Sequence, residues 1–136
     1  MKNKIFAFIV SLTIVCIYSC SGSKITNTDI ETSQWILDTL NGNKVILIRG
    51  ITLVFDKEKS KISGFGGCNS YFGNYVNNGE KLLFSEIGST KMACDSMEPE
   101  TAYFSALSKI DKFKISSKTL YLYSSGSQVM VFKKIE

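Results

Sequence analysis

Short apolar segments separated by turn-forming residues follow one another from residue 34 to the end of the chain. In most of them apolar and polar positions alternate, which is typical of strands with one buried face. The segment 45–48 is apolar throughout, so we expect a strand buried on both faces there. The predicted strands are 35–40, 45–48, 52–55, 61–65, 74–76, 81–84, 112–115, 119–123 and 129–133, and 86–94 continues in extended conformation.

Turn residues between these strands predict hairpins. Asn41-Gly42-Asn43 separates the first two strands, and an Asn-Gly pair within residues 77–80 separates two others. Asn-Gly supplies the positive φ angles that a two-residue hairpin turn requires. Because no strand–helix–strand rhythm appears, the sheet is expected to be antiparallel.

One segment, about 96–110, has the spacing of a helix. Its apolar positions recur every three or four residues and are Met97, Phe104, Leu107 and Ile110. Ser96 or Glu98 would cap its start, and Pro99 suits the first turn. The chain is therefore expected to be α+β and mainly β, with an antiparallel sheet curled into an open barrel or sandwich and one short helix.

The first residues carry the pattern of an export signal. Two lysines precede an apolar run at 5–17, which is too short to span a bilayer. The run ends at Ile17-Tyr18-Ser19-Cys20, which resembles the site cut by the bacterial lipoprotein signal peptidase. We expect residues 1–19 to be a lipoprotein signal peptide and Cys20 to carry a diacylglycerol anchor. An ordinary secretory peptide and an uncleaved anchor remain alternatives, and Cys16 is a weaker lipidation site because Val15 is not small.

The polar segment that follows, 20–33, is rich in Ser, Thr, Asn and Gly and reads as a flexible tether. The folded domain is expected to occupy residues 34–136. Loss of the signal peptide would leave 14 basic and 12 acidic residues, so no basic face for nucleic acid is predicted. Ser21 replaces the Asp that retains enterobacterial lipoproteins in the inner membrane. We therefore expect the outer membrane rather than the inner, with the domain facing the periplasm or the outside.

Two cysteines, Cys68 and Cys94, remain for the folded part, and in an oxidising compartment they suggest a disulfide. A zinc site is disfavoured because the chain has no His, and a catalytic thiolate lacks a base for the same reason. No metal and no cofactor are expected.

Catalytic motifs are weak. The glycines at 64 and 66 fail as a dinucleotide fingerprint because Asn69 takes the third glycine position, and no phosphate-binding loop is present. A hydrolase working through two carboxylates could draw on Asp56, Glu58, Asp95, Glu98, Glu100 and Asp111. Solvation or helix capping explains most of these acids, so the chain is not expected to be an enzyme.

Three segments resemble the META domain family, whose members include HslJ-like proteins. They are Trp-Ile-Leu at 35–37, Gly-Cys-Asn-Ser-Tyr-Phe-Gly-Asn-Tyr at 67–75, and Ser-Thr-Lys-Met-Ala-Cys at 89–94, followed by a helix that begins near Glu100. The residues that match the family motif are Gly67, Asn69, Tyr71, Gly73, Tyr75 and Thr90. Gly66 departs from the pattern, since a polar residue is more usual there.

The resemblance implies an envelope or secreted protein linked to stress or virulence, often lipid-anchored and without established enzymatic activity. We expect a non-catalytic, membrane-tethered monomer with a binding or structural role toward an unknown protein or small ligand. An inhibitor or chaperone-like binder of an envelope or host enzyme is the alternative. Asn69 and Thr90 could hold two loops together or contact a ligand. Tyr121 and Tyr123, which share one strand face, form a possible binding patch, with Leu120 and Leu122 on the buried face.

Overall fold

Strands dominate the computed structural model, which describes residues 28–135. The elements are α1 (Thr28–Glu31), β1 (Gln34–Leu40), β2 (Asn43–Lys44), β3 (Thr52–Asp56), β4 (Lys61–Phe65), β5 (Ser70–Asn78), β6 (Lys81–Ser89), α2 (Glu98–Leu107), β7 (Lys112–Ser116), β8 (Thr119–Ser124) and β9 (Ser127–Ile135). The predicted signal peptide, Cys20 and the first part of the tether lie outside the described residues.

The strands form one antiparallel sheet that closes on itself. From β3 to β9 neighbours in the chain are neighbours in the sheet, and β9 pairs with β1 from Gln34↔Ile135 to Leu40↔Met130. The ring is weakest between β6 and β7, where Lys81↔Lys112 is the one register pair. The predicted mainly-β fold with a curled antiparallel sheet is confirmed.

Alternating side chains fill the interior of the ring. Trp35, Leu53 and Phe132 are among the largest fully buried side chains, and each comes from a different strand. On β8, Leu120 and Leu122 point inward, while Tyr121 and Tyr123, which alternate with them, are half-buried on the outer face. The period of two read from the sequence therefore places these side chains correctly.

Helix α2 lies over one end of the ring. Tyr103 and Leu107 are fully buried, and the Tyr103 ring packs edge-on against Phe132 at 6.4 Å between centroids. The helix is shorter than the predicted 96–110. Met97 occupies the N-cap position without a side-chain cap bond, so neither Ser96 nor Glu98 caps it.

Helix α1 lies at the opposite end and moves the domain boundary. Ile30 is fully buried, and its carbonyl accepts a hydrogen bond from Trp35 Nε1 at 3.0 Å. Glu31 accepts one from the Tyr75 hydroxyl at 2.9 Å and pairs with Lys57 Nζ at 3.2 Å. Residues 28–33 are thus part of the folded domain rather than of the tether, because they cover core side chains.

The predicted strand at 45–48 is wrong. β2 ends at Lys44, and the side chains of Ile46 and Ile48 are 85% and 108% exposed. The edge of β1 is divided between β2, which pairs with residues 39–40, and β3, which pairs with 34–36. The intervening segment has no strand edge to pair with, so it loops outward. Leu47 packs against the core.

Neither helix of residues 28–135 has the length and apolar composition needed to span a membrane.

Candidate functional site

Three loops meet at the end of the ring where α2 begins. They are the loops 45–51, 66–69 and 90–97. The first two are neighbours, because a Cβ added to Gly67 would lie 3.4 Å from Leu47 Cδ1. The second and third are joined covalently. We call this region the disulfide end of the barrel.

The disulfide joins Cys68 and Cys94, with 6.1 Å between their Cα atoms. The predicted pairing is confirmed. Cys68 is buried beneath the loop, whereas Cys94 and its neighbours in 90–97 are exposed. The bond therefore holds a surface loop against the barrel.

Asn69 fixes the same loop through its side-chain amide. Its Oδ1 accepts hydrogen bonds from the Met92 N–H at 2.7 Å and from the Thr90 hydroxyl at 2.8 Å. Its Nδ2 donates to the Met92 carbonyl at 3.3 Å and to Glu100 Oε1 at 2.8 Å. An amide side chain has two donors and two acceptor positions, and all four are used within the protein. Asn69 and Thr90 therefore hold loops together, and the Asn69 amide keeps no free position for a ligand.

Glu100 stands behind Asn69, and its burial is the feature of the site that the sequence did not predict. Its side chain is 4% exposed, and Oε2 accepts the Asn69 N–H at 2.6 Å and the Cys68 N–H at 3.1 Å. The sequence indicated solvation or helix capping for this acid, whereas in the structure three N–H groups of Cys68 and Asn69 donate to its carboxylate. The charge also lies in the first turn of α2, where the helix dipole favours an anion.

Glycine at 66 and 67 makes this arrangement possible. A Cβ on Gly66 would lie 2.8 Å from Phe104 Cζ and 2.9 Å from Glu100 Oε2, so a larger residue would require these side chains to move. Gly67 has φ +114°, a conformation that other residues rarely adopt. The departure from the family motif at Gly66 thus has a packing reason: the α2 side chains approach the backbone closely.

The motif tyrosines are buried and serve the core. The Tyr71 hydroxyl donates to the Thr52 carbonyl at 2.8 Å and accepts from the Tyr103 hydroxyl at 2.7 Å. Burial raises the pKa of both Tyr71 and Tyr103 above the ordinary value. Burial also raises the pKa of Tyr75, and the hydrogen bond to Glu31 adds to this. All three hydroxyls therefore stay neutral at physiological pH.

Gly73, the remaining motif residue, is buried between strands. A Cβ there would lie 3.1 Å from the Ser85 carbonyl oxygen and 3.4 Å from Ile62 Cγ1. Its role is to let β5 approach its neighbours.

Exposed apolar side chains surround the disulfide end. Ile46 and Ile48 project from 45–51, and Met92 and Met97, at 62% and 37% exposure, project from 90–97. We call these four side chains the apolar rim. Beside them the Arg49 guanidinium lies 4.0 Å from the centroid of the Phe65 ring. Large apolar side chains held at the surface are typical of protein contact sites.

The predicted patch of Tyr121 and Tyr123 lies elsewhere, on the outer face of β8. Both rings are half-buried, and each faces a lysine across the β7–β8 ladder: Lys114 opposite Tyr121 and Lys112 opposite Tyr123. The structure does not bring this patch together with the apolar rim, and its role in binding stays a prediction.

The candidate carboxylates are dispersed. Asp56 pairs with Lys59 in the β3–β4 turn, at the end of the barrel away from Glu100. Asp111 accepts the Ser125 N–H at 2.7 Å. Glu58, Asp95 and Glu98 are exposed. Among residues 28–135, no group of three or more His, Cys, Asp or Glu side chains is arranged to hold a metal ion.

Comparison with known proteins adds a family and a fold. The META domain model matches residues 28–136. An NMR structure of a protein from Burkholderia xenovorans is similar with a TM-score of 0.66 and 26% identity, over 79% of this chain and 85% of that one. A second NMR structure gives 0.65 and 20% identity, over 80% of this chain and 94% of that one.

A crystal structure of a DUF4847 family protein from Bacteroides vulgatus gives a TM-score of 0.57 and 14% identity, over 76% of this chain and 93% of that one. At the identities of the last two structures the likeness concerns the fold alone. No curated protein matches the chain.

Proposed function

We propose, because the chain belongs to the META domain family, that it is a non-catalytic binding module of the cell envelope. A lipid on Cys20 would attach it to a membrane, with the outer membrane expected. The apolar run at 5–17 and the small residue before Cys20 support export and lipidation. The domain would then meet its partner on the far side of the inner membrane.

The observation that carries the proposal is that the apolar rim lies on loops held in place by contacts with the barrel. Ile46, Ile48 and Met92 are exposed, yet their loops are held by Leu47, by the Asn69 amide and by the disulfide. Exposed apolar side chains lower the solubility of a protein. On rigid loops they favour tight binding of a partner, because little conformational freedom is lost on binding. A complementary apolar protein surface is the partner that this rim fits.

The direction of the rim supports the same role. Asn69 lies at the disulfide end, whereas Asn77, near α1, lies at the other end of β5. Eight residues of strand separate them by roughly 26 Å. A tether that enters through α1 would therefore hold the rim away from the membrane and toward a partner in the surrounding space.

The non-catalytic part of the proposal rests on the chemistry of the buried polar groups. Both oxygens of Glu100 accept hydrogen bonds from the protein, and the hydroxyls of Tyr71 and Tyr103 are committed to each other and to the Thr52 carbonyl. Each of these groups is thus engaged by a partner within the protein.

An enzyme inhibitor is the second candidate. The loop 45–51 projects from the barrel, and Ile48 at its surface could enter an active-site cleft. A loop anchored on both sides, here by β2 and β3, suits an inhibitor because it keeps its shape. A chaperone-like binder would use the same side chains with less selectivity.

Site-specific crosslinking in intact cells tests the proposal. A photoreactive residue at Ile48 should yield one dominant protein adduct, while the same residue at the exposed Glu58, at the opposite end, should not. Cys20→Ser should move the protein from the membrane to the soluble fraction. Equal adducts from both positions, or none, would contradict the binding role. Turnover of peptidoglycan or polysaccharide that is lost in a carboxylate variant would contradict the non-catalytic role.

A further inference from the structure

The seam between β6 and β7 leaves part of each strand without a neighbour across it, and the part that belongs to β7 borders a cleft. Two backbone hydrogen bonds cross it: the Leu82 N–H donates to the Asp111 carbonyl at 3.3 Å, and the Phe113 N–H donates to the Glu80 carbonyl at 3.0 Å. The β5–β6 hairpin then turns back at Gly79, which has φ +69°. β7 continues beyond the hairpin to Ser116.

The exposed edge of β7 follows from the alternation of backbone groups. Because the Phe113 N–H points toward β6, the groups of Ile115, two residues along, point the same way. The Phe113 N–H and carbonyl therefore face Glu80 in the hairpin, whereas the Ile115 N–H and carbonyl lie beyond the hairpin and face the open side. Among residues 28–135, neither of the two backbone bonds that cross this seam involves Ile115. The N–H and carbonyl of Ile115 thus form a short open strand edge with which one more strand could pair.

A cleft of about 560 Å³ runs along this edge. Phe113 and Ile115 line it from β7, Gly79 and Glu80 from the hairpin, and Tyr123 and Gly126 from β8 and the following turn. Its volume lies in the range of sites that hold side chains or small ligands. The half-buried Tyr123 ring offers an apolar wall beside the free backbone groups.

The charges around the edge are mostly positive. Lys81, Lys112 and Lys114 are exposed there. The two acids beside them are already engaged, because Glu80 is paired with Lys112 at 2.6 Å and Asp111 accepts the Ser125 N–H at 2.7 Å. Lysines on an edge strand repel a second copy of the same edge, which would bring the same charges. They attract an acidic segment, so the charge pattern selects among possible strands.

We propose that the edge of β7 at Ile115 binds an extended acidic segment of another protein, which adds to the sheet as a strand. The backbone of that segment pairs with the N–H and the carbonyl of Ile115. Its carboxylates lie over Lys112 and Lys114, and an apolar side chain enters the cleft beside Tyr123. This site is separate from the apolar rim, so the proposed function can fail while this proposal holds.

Amide NMR titration tests the proposal on the folded chain. The probe is a short peptide of alternating glutamate and valine, compared with an alternating lysine and valine peptide of the same length. The glutamate peptide should shift the Ile115 amide resonance and slow its hydrogen exchange, because that N–H gains an acceptor. Binding should weaken as salt is added.

Two matched variants separate charge from backbone pairing. Lys112→Glu together with Lys114→Glu should weaken binding of the glutamate peptide about tenfold and strengthen binding of the lysine peptide. Lys91→Glu, at the disulfide end, should change the affinity for neither peptide. N-methylation of alternate residues in the glutamate peptide should abolish binding, because it removes the backbone donors.

Several outcomes would overturn the proposal. Equal binding of both peptides, unchanged binding after N-methylation, or shifts confined to other strands would each do so. Protection of Ile115 that depends on protein concentration without peptide would indicate a second copy instead.

Discussion

At the scale of single residues, one carboxylate organises the disulfide end. Glu100 is buried without a lysine or arginine partner among the described residues, and N–H groups of Cys68 and Asn69 take that place. A buried charge is tolerated when charge-assisted hydrogen bonds replace water. The Asn69 amide, which donates to Glu100, also hydrogen-bonds the backbone of Met92 in the surface loop. The position of the surface loop thus depends on a group that lies beneath it.

Glu100→Gln should lower the free energy of unfolding by about 2–3 kcal/mol, because an amide places a donor against a donor and weakens charge-assisted bonds. Urea denaturation measures the change. Glu98→Gln is the matched control: it removes the same charge from an exposed position in the same turn. It should cost within about 0.5 kcal/mol. Equal losses in the two variants would show that the helix dipole, not the buried network, matters.

Glu31 predicts how stability depends on pH. Burial raises the pKa of Glu31, but hydrogen bonds from Tyr75, Lys57 and Asn77 outweigh it, and the net shift is below the ordinary value of 4.5. A lowered carboxyl pKa contributes stability above the ordinary pKa, and this contribution is lost as the pH falls below 4.5. Glu31→Gln should therefore flatten the acid limb of a urea-midpoint profile. An unchanged acid limb would contradict the assignment.

At the scale of elements, two helices close the ring at opposite ends. α2 covers the disulfide end with Tyr103 and Leu107, and α1 covers the other with Ile30. α1 is only one turn long, and an isolated helix of that length is unstable in water. Its stability comes from tertiary contacts, chiefly Ile30 against the core and Glu31 toward β5.

Ile30→Ala should destabilise the domain by about 2–5 kcal/mol, because it leaves a cavity beneath α1. Chemical denaturation measures the loss. Ile46→Ala deletes the same atoms from an exposed position and should change stability by no more than about 0.5 kcal/mol. A small loss at Ile30 would mean that residues 28–33 do not contribute to the fold.

The disulfide and Asn69 hold the loop 90–97 independently. Replacing Cys68 and Cys94 with Ala should lower the free energy of unfolding by roughly 3–4 kcal/mol in the chain-entropy model. The Met92 amide should stay protected from hydrogen exchange, because it donates to Asn69 Oδ1. Adding Asn69→Ala should release it. Rapid exchange at Met92 in the double-cysteine variant alone would contradict this division of roles.

At the scale of the whole molecule, the sequence predicts what local spacing decides. Alternation at Leu120 to Tyr123 and the turn at Gly79 depend on near neighbours, and both are found where predicted. The Cys68–Cys94 pairing was predicted because these two cysteines remain for the folded part of the chain, and it is found. These features could be predicted because each depends on residue types within a short segment or on the number of cysteines.

The features that the sequence did not predict depend on distant partners. Glu100 accepts hydrogen bonds from groups 31 and 32 positions away in the chain. Its burial therefore could not be predicted from the residues next to it in the sequence. The segment 45–48 is strand-like by composition, but β1 has no free edge for it. Ile30 lies in a segment of mostly polar residues, so the sequence did not predict that its side chain is buried at the end of the barrel opposite the disulfide.

The pairing of β1 with β9 sets the order of assembly. The first strand of the domain finds its second neighbour in the last strand, from Gln34↔Ile135 to Leu40↔Met130. A ribosome or a translocation pore must release nearly the whole chain before that ladder can form. Contacts of such long range slow folding, so the emerging polypeptide remains open until its C-terminal residues arrive. The barrel of such a domain therefore closes only once both of its end strands are free to meet.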